Sequence, residues 1–312
     1  MKPLRTLLVT FLLMTNLTKP FASAQPVSDA LRSQCLQELR TVLRTEQEWI
    51  KVHAAEYLLW IGEPAGVQDV YLDELQKFST KAPYRIGIWR VLAQAATTPD
   101  EKEKWTDPIA AAFKDPNGPD RIHAAETLAK LGISPTTVDA EAARKAISGE
   151  NRPLSLYTLW GATLSDAKTA PANRRKFLDL ALNRQEEVAP RKLGTFITRR
   201  LGGLTAAEWK QLAEAALSEP VSSAVQLNLV HAALVTASTE ATRSEPYRLL
   251  RIKMLAAQQS PAVGDQLELV AALAETGLPV DVAVLTPLLK HENADVRAGA
   301  AYAILKIGTK KG

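Results

Sequence analysis

The chain has 312 residues, of which 46% are hydrophobic, 23% charged and 6% aromatic, and it carries a formal charge of +4 at pH 7. This composition excludes a disordered, collagenous or disulfide-framed protein, and one cysteine leaves no internal disulfide to form. A single hydrophobic core stops growing near this length, so two domains or a repeat array is expected, and the scarcity of Val-Ile-Thr-Tyr alternation favours helices.

At the N-terminus Lys2 and Arg5 precede an apolar run, LLVTFLLM at 7–14, and ASA at 22–24 supplies small residues before Gln25. The pattern predicts an export signal over 1–24 and a mature protein in the periplasm or outside the cell. The run is too short to span a bilayer and no later stretch is long enough, so no integral membrane segment is expected after cleavage. Losing Lys2, Arg5 and Lys19 lowers the formal charge from +4 to +1. Cys35 lies too far from Ala24 for lipid attachment and reads as a small apolar filler within the helical pattern LRSQCLQEL.

The next segment, VHAAEYLLWIG at 52–62, returns seventy positions later as IHAAETLAKLG at 122–132. In the first copy Val52, Ala55, Leu58, Leu59 and Ile61 recur at helical steps, and Gly62 stops the helix before Pro64. Ile122, Ala125, Leu128 and Leu131 repeat the stripe before Gly132, and a further step of seventy reaches Leu201-Gly202. Intermediate stops at Thr97-Thr98-Pro99, Ser165-Asp166 and Ser238, then Gly277 and Gly308, give eight helix ends about 31 to 40 residues apart. Each interval leaves room for another helix. EKEKWTDPIAAAFK, TTVDAEAARKAI, ANRRKFLDLAL and AAEWKQLAEAAL each follow a cap or a first-turn proline. The unit is therefore a helical hairpin too thin to bury its own stripe, and the chain is predicted to be all-α, a solenoid of about eight hairpins over 25–312 in an elongated arc. The Ala-Ala pair of the second helix lets its neighbour approach closely.

DVRAGAAYAILKIG at 295–308 resembles the second helix of HEAT repeats of the lyase-type subclass, whose pattern is Asp-Val-Arg-x-x-Ala-Ala-x-x-Leu-x-x-Ile-Gly; Asp295, Val296, Arg297, Ala300, Ala301, Ile304, Ile307 and Gly308 carry the match. VHAAEYLLWIG and IHAAETLAKLG resemble it as well. The resemblance implies an armadillo-like helical scaffold whose second helices line a concave binding face. EWIKVHAAEYLLW also resembles HEAT segments found with bacterial sodium–solute symporters, which implies an accessory of an envelope or transport complex.

Candidate chemistry is sparse. His53-x-x-Glu56 and His123-x-x-Glu126 have a spacing that metals use, but two intervening repeats separate them by tens of ångströms, so no metal is assigned. His291-Glu292 is a single dipeptide, whereas deoxyhypusine hydroxylase, also HEAT-like, builds its di-iron centre from repeated pairs; that assignment is rejected. His231 reads as a core or groove histidine. No nucleophile elbow, Cys-His pair or phosphate loop is present, so no catalytic residue and no cofactor is assigned. The strongest charge imbalance is in 171–202, where Arg174, Arg175, Lys176, Arg184, Arg191, Lys192, Arg199 and Arg200 oppose Asp179, Glu186 and Glu187. These cations are candidates for one ridge facing an acidic protein surface, an anionic glycan or a membrane surface, set against a reading as a solvated, salt-bridged face; nucleic acid is not expected. Of the six tryptophans, Trp89 and Trp160 are the candidates for a ligand-facing position, and at least four of the six are expected in the core. The favoured function is binding of a protein partner on the concave face. The alternatives are anionic surface recognition through 171–202 and a lyase- or hydrolase-type enzyme using the groove. The enzyme reading requires His231 or His123 within reach of a carboxylate inside a closed pocket.

Overall fold

Gly62 and Gly132 end their helices by the same backbone device. Both occupy the left-handed region, at φ +77° and +72°. Glu63 N–H donates to Leu58 O at 2.9 Å and Gly62 N–H to Leu59 O at 3.1 Å; Ile133 to Leu128 and Gly132 to Ala129 repeat the geometry at 2.9 and 3.1 Å. This is the Schellman closure, which satisfies carbonyls that the helix leaves without partners.

The computed structural model describes residues 27–309, so the export signal read over 1–24 lies outside the described residues. It contains eight hairpins. They are α1 (Asp29–Thr45) with α2 (Glu48–Trp60), α3 (Val67–Phe78) with α4 (Tyr84–Ala95), and α5 (Pro99–Lys114) with α6 (Arg121–Lys130). The fourth joins α7 (Pro135–Val138) and α8 (Ala140–Ser148) to α9 (Arg152–Ser165), and the fifth pairs α10 (Ala170–Leu182) with α11 (Val188–Leu201). Next come α12 (Ala206–Ser218) with α13 (Gln226–Val235) and α14 (Glu245–Ala256) with α15 (Val263–Thr276). The last joins α16 (Val282–Leu285) and a 3-10 turn, Thr286–Lys290, to α17 (Ala294–Thr309). No strand occurs among the described residues. The fold is an all-α solenoid, as the hairpin period predicts.

The first helices start where their caps stand. Thr98 accepts from Glu101 N–H at 3.2 Å with Pro99 at the first position, and Thr205 and Glu208 form a reciprocal capping box. The segment TTVDAEAARKAI departs from the single helix expected. Asp139 leaves the helical region and accepts from Ala142 N–H at 2.8 Å, so a new helix begins there. Gly308 also differs. It lies inside α17 instead of ending it, and a Cβ there would come within 3.0 Å of Val27.

The second helices form the inner layer. Ala54, Ala55, Ala124, Ala125, Ala300 and Ala301 have no exposed surface, consistent with the close approach that small residues allow. In sequence order α2, α4, α6, α9, α11, α13, α15 and α17 each pack on the next, and α17 then packs on α1 and α2. The elongated arc expected from the repeat is thus replaced by a closed ring. At the seam Arg297 Nε donates to Glu38 at 2.7 Å, His53 Nδ1 lies 2.9 Å from Asp295, and the rings of Tyr57 and Tyr302 stack at 4.4 Å.

Apolar burial outweighs these polar contacts. Val296, Ile304, Leu305 and Ile307 of α17 are at most 3% exposed, and each such side chain contributes about 1.5–3 kcal/mol. The Arg297–Glu38 pair, 23% and 22% exposed, is worth about 1 kcal/mol or less. Arg297→Glu is therefore expected to lower stability by about 1 kcal/mol without opening the ring. Small-angle scattering should give a radius of gyration near 20 Å for wild type and variant alike; an extended arc in either would refute closure.

Candidate functional site

Closing the inner layer converts a concave face into a lumen with two mouths. The first cavity, about 720 Å³, is lined by residues of α2 (His53, Glu56, Tyr57 and Trp60), by Gln94 of α4 and Lys130 of α6, by Phe196, Arg199 and Arg200 of α11, by Val270, Ala271, Ala274 and Glu275 of α15, and by Gly299, Tyr302 and Lys306 of α17. The second, about 940 Å³, lies between the N-terminal ends of α9, α11, α13 and α15 and includes Arg152, Tyr157, Lys192, Asn228 and Glu268. Phe196 and Arg199 line both. Both volumes fall within the range of ligand sites.

One wall of the first cavity is aromatic. Tyr57 and Trp60 are one turn apart on α2, and Tyr302 joins them across the seam; Trp60 meets Tyr57 at 5.9 Å and Tyr302 at 5.8 Å, both edge-on. Trp60 is 46% exposed, and its indole N–H donates to Gln94 Oε1 at 2.8 Å. Gly299 lets α17 reach α15, since a Cβ there would stand 2.5 Å from Val270.

Behind this wall lies a buried ion network. Arg90 Nε and Nη2 donate to the two oxygens of Glu56 at 2.7 and 3.0 Å, and Gln94 Nε2 adds 2.7 Å. Burial pushes the Glu56 carboxyl up, but Arg90 and Lys130 outweigh it and hold it below the usual range. Glu126, paired with Lys130 at 2.8 Å, is held down in the same way. Burial and Arg90 together lower the Lys130 ammonium. Outside this network, among the described residues, Arg200 and Lys306 make no ion pair. The mouth therefore holds two cations without an ion pair among the described residues beside the exposed Trp60 indole, with the Glu275 carboxylate lining the same cavity.

The predicted basic ridge does not assemble, because α10 and α11 occupy different layers. Arg174 lies against Gly203, and Arg175 pairs with Asp179 at 2.6 Å on α10. Arg191 is buried, held by Glu219 at 2.9 and 3.2 Å, and Arg184 joins the same carboxylate. Only Lys192, Arg199 and Arg200 reach the lumen, at different depths. His53 lies at the seam, and His123 stacks on Trp49 at 5.6 Å. Trp89 is partly buried beneath Arg85, and Trp160 is 2% exposed, edge-on to Phe196. Trp105, Trp160 and Trp209 are core, and Trp49 and Trp89 pack against the core. Trp60 is the exposed one. Sequence reasoning does not mark Tyr57, Trp60 and Tyr302 as ligand-facing; the once-per-turn spacing of Tyr57 and Trp60 is the available signal.

His231 has a carboxylate partner. Its Nδ1 lies 2.7 Å from Glu268, and Arg199 contacts both. Burial and Arg199 lower the imidazole below its usual value. Burial raises Glu268, but His231 and Arg199 hold it at about 2. His231 is completely buried, with Glu275 3.9 Å from its Nε2, while Glu268 lines the second cavity; the imidazole itself therefore reaches neither cavity. His291 is occupied too, its Nδ1 accepting from Asn293 N–H at 3.0 Å. Among the described residues no three His, Cys, Asp or Glu side chains are grouped to hold a metal, and no helix is long and apolar enough to cross a membrane.

No family profile and no curated protein matches the chain. Among solved structures it is similar to human deoxyhypusine hydroxylase in complex with glycerol, with 14% identity over 90% of this chain and 98% of that one, at a TM-score of 0.41. It is also similar to YibA of Escherichia coli, with 15% identity, 92% and 99% coverage and a TM-score of 0.34.

Two outcomes are expected. Glu56→Gln leaves Arg90 a buried, uncompensated cation and should cost about 3–5 kcal/mol in chemical denaturation, whereas Glu56→Gln with Arg90→Met should cost less than the sum of the single changes. His231 and Glu268 both bind protons more weakly folded than unfolded. Their contributions are fully present above the unfolded values of 6.5 and 4.5 and are lost as pH falls below them. Urea midpoints should fall steadily from pH 7 to pH 3, and His231→Asn should flatten the upper part of that slope.

Proposed function

We propose that the chain is an exported binding protein that holds a segment of a protein partner in the lumen of its ring, as an accessory of an envelope or transport complex. The observation that carries this reading is the first mouth, where the exposed Trp60, flanked by the partly buried Tyr57 and Tyr302, stands beside two cations that make no ion pair among the described residues. Proteins seldom leave such surface without a use, and the charged groups around it are otherwise paired. Export is supported by Lys2, Arg5, LLVTFLLM and the ASA site.

Closure also limits the occupant. A folded domain rests on an open concave arc, whereas a cavity of about 720 Å³ accepts a short extended segment. Binding is favoured over lyase or hydrolase chemistry because the His231 imidazole, although paired with Glu268, has no exposed surface through which to meet a substrate. It is favoured over anionic glycan or membrane recognition by 171–202 because Arg175, Arg184 and Arg191 are neutralised on Asp179 and Glu219.

The test is site-specific photocrosslinking in the native envelope, with benzoylphenylalanine at Trp60 or at the outer-layer Lys210, which is 75% exposed. The Trp60 probe is expected to give a discrete protein adduct that the Lys210 probe does not. Adducts equal at both positions, or none at Trp60, would refute the reading.

A further inference from the structure

Two features of the first mouth specify its ligand more closely than the ring alone does, given the lumen as the binding face proposed above. Arg200 on α11 and Lys306 on α17 make no ion pair among the described residues, and both line the same cavity. Lys306 is one turn beyond Tyr302 on α17, so an ammonium and an aromatic ring share one helix face. Trp60 completes an apolar wall with Val270 and Ala274, from the neighbouring α15, lining the same space.

We infer that this mouth recognises an acidic peptide segment carrying an aromatic or large aliphatic side chain next to its carboxylates. The carboxylates meet Arg200 and Lys306, and the apolar side chain rests on Trp60 and Tyr302. Charge selects among occupants. Residues 1–24 of this chain carry Lys2, Arg5 and Lys19 and no carboxylate, so the leader is repelled by the same cations. An acidic glycan is the competing occupant, since Trp60 and Tyr302 also offer ring faces, and heparin serves as its probe in the test.

The experiment uses the mature chain and fluorescein-labelled octapeptides read by anisotropy: one with Trp flanked by Asp and Glu, one with Lys at every acidic position, and one with Ala for Trp. The acidic Trp peptide is expected to bind saturably, at least about tenfold more tightly than either control, and more weakly as salt rises from 50 to 300 mM. Arg200→Glu with Lys306→Glu should reduce its affinity by about tenfold or more, and Trp60→Ala by about fivefold. Lys210→Glu should leave it unchanged. Trp60 and Arg200 are exposed, and an unchanged melting curve verifies that each variant is folded.

Equal binding of the basic peptide, or indifference to Arg200→Glu/Lys306→Glu, overturns the inference. So does stronger retention, through the same residues, of heparin or of vesicles containing phosphatidylglycerol. If Trp60 crosslinks to a protein in the envelope while the acidic peptide fails to bind, the ligand class is wrong and the lumen remains the binding face. If both fail, the lumen itself is lost.

Discussion

The structure depends on the inability of any one hairpin to bury the stripe of its second helix. In an open solenoid the end hairpins lack one neighbour, and they ordinarily need a polar cap in its place. Here the end hairpins serve as each other's neighbour. Val52, Leu58, Val296 and Ile304 are all completely buried although they belong to the two ends of the array. That requirement bends the array through a full turn, and the lumen, the aromatic wall and the pairing of distant charges are its consequences.

The seam also separates what is legible in the sequence from what is not. Gly62 and Gly132 are legible because a left-handed residue after a helical stripe is a local signal, complete within a dozen positions. The Ala-Ala pairs are legible for the same reason. Closure is not, because its contacts join residues 242 and 259 positions apart and each occurs once. Asp295 and Arg297 illustrate the difference. In sequence they are part of a repeat pattern, while in the ring they bind the first hairpin, a use that the pattern alone does not encode. Gly308 shows the same thing. It reads as a helix stop, yet its small size is used where Val27 approaches.

The basic segment fails as a ridge for a geometric reason. Successive residues on a helix turn by about 100°, so Arg191 and Lys192 point to different surroundings although they are neighbours in the chain. Arg191 turns toward the outer layer and Glu219, and Lys192 turns toward the second cavity. A further division comes from the hairpin itself, which sends α10 outside and α11 inside. Net charge over thirty residues therefore averages over two layers and several faces. Compensation residue by residue is the informative quantity, and it becomes visible only once partners such as Asp179, Glu219 and Glu268 are in place.

The buried ions behind the lumen raise a question of purpose. Removing Arg90, Glu56, Lys130 and Glu126 from water is costly, and well-packed apolar groups at such positions often give equal or greater stability. What ions supply is orientation. Gln94 donates to Glu56 and accepts from Trp60, so the bidentate Arg90–Glu56 pair fixes the amide that in turn fixes the indole. The Trp60 indole of the aromatic wall is thereby held in one orientation. Ring closure acts in the same direction, because a flexing arc would have to order its concave face at each encounter, whereas a closed ring has done so during folding. For the partner proposed above, a mouth ordered in advance favours a short, extended segment that brings its own ordering cost.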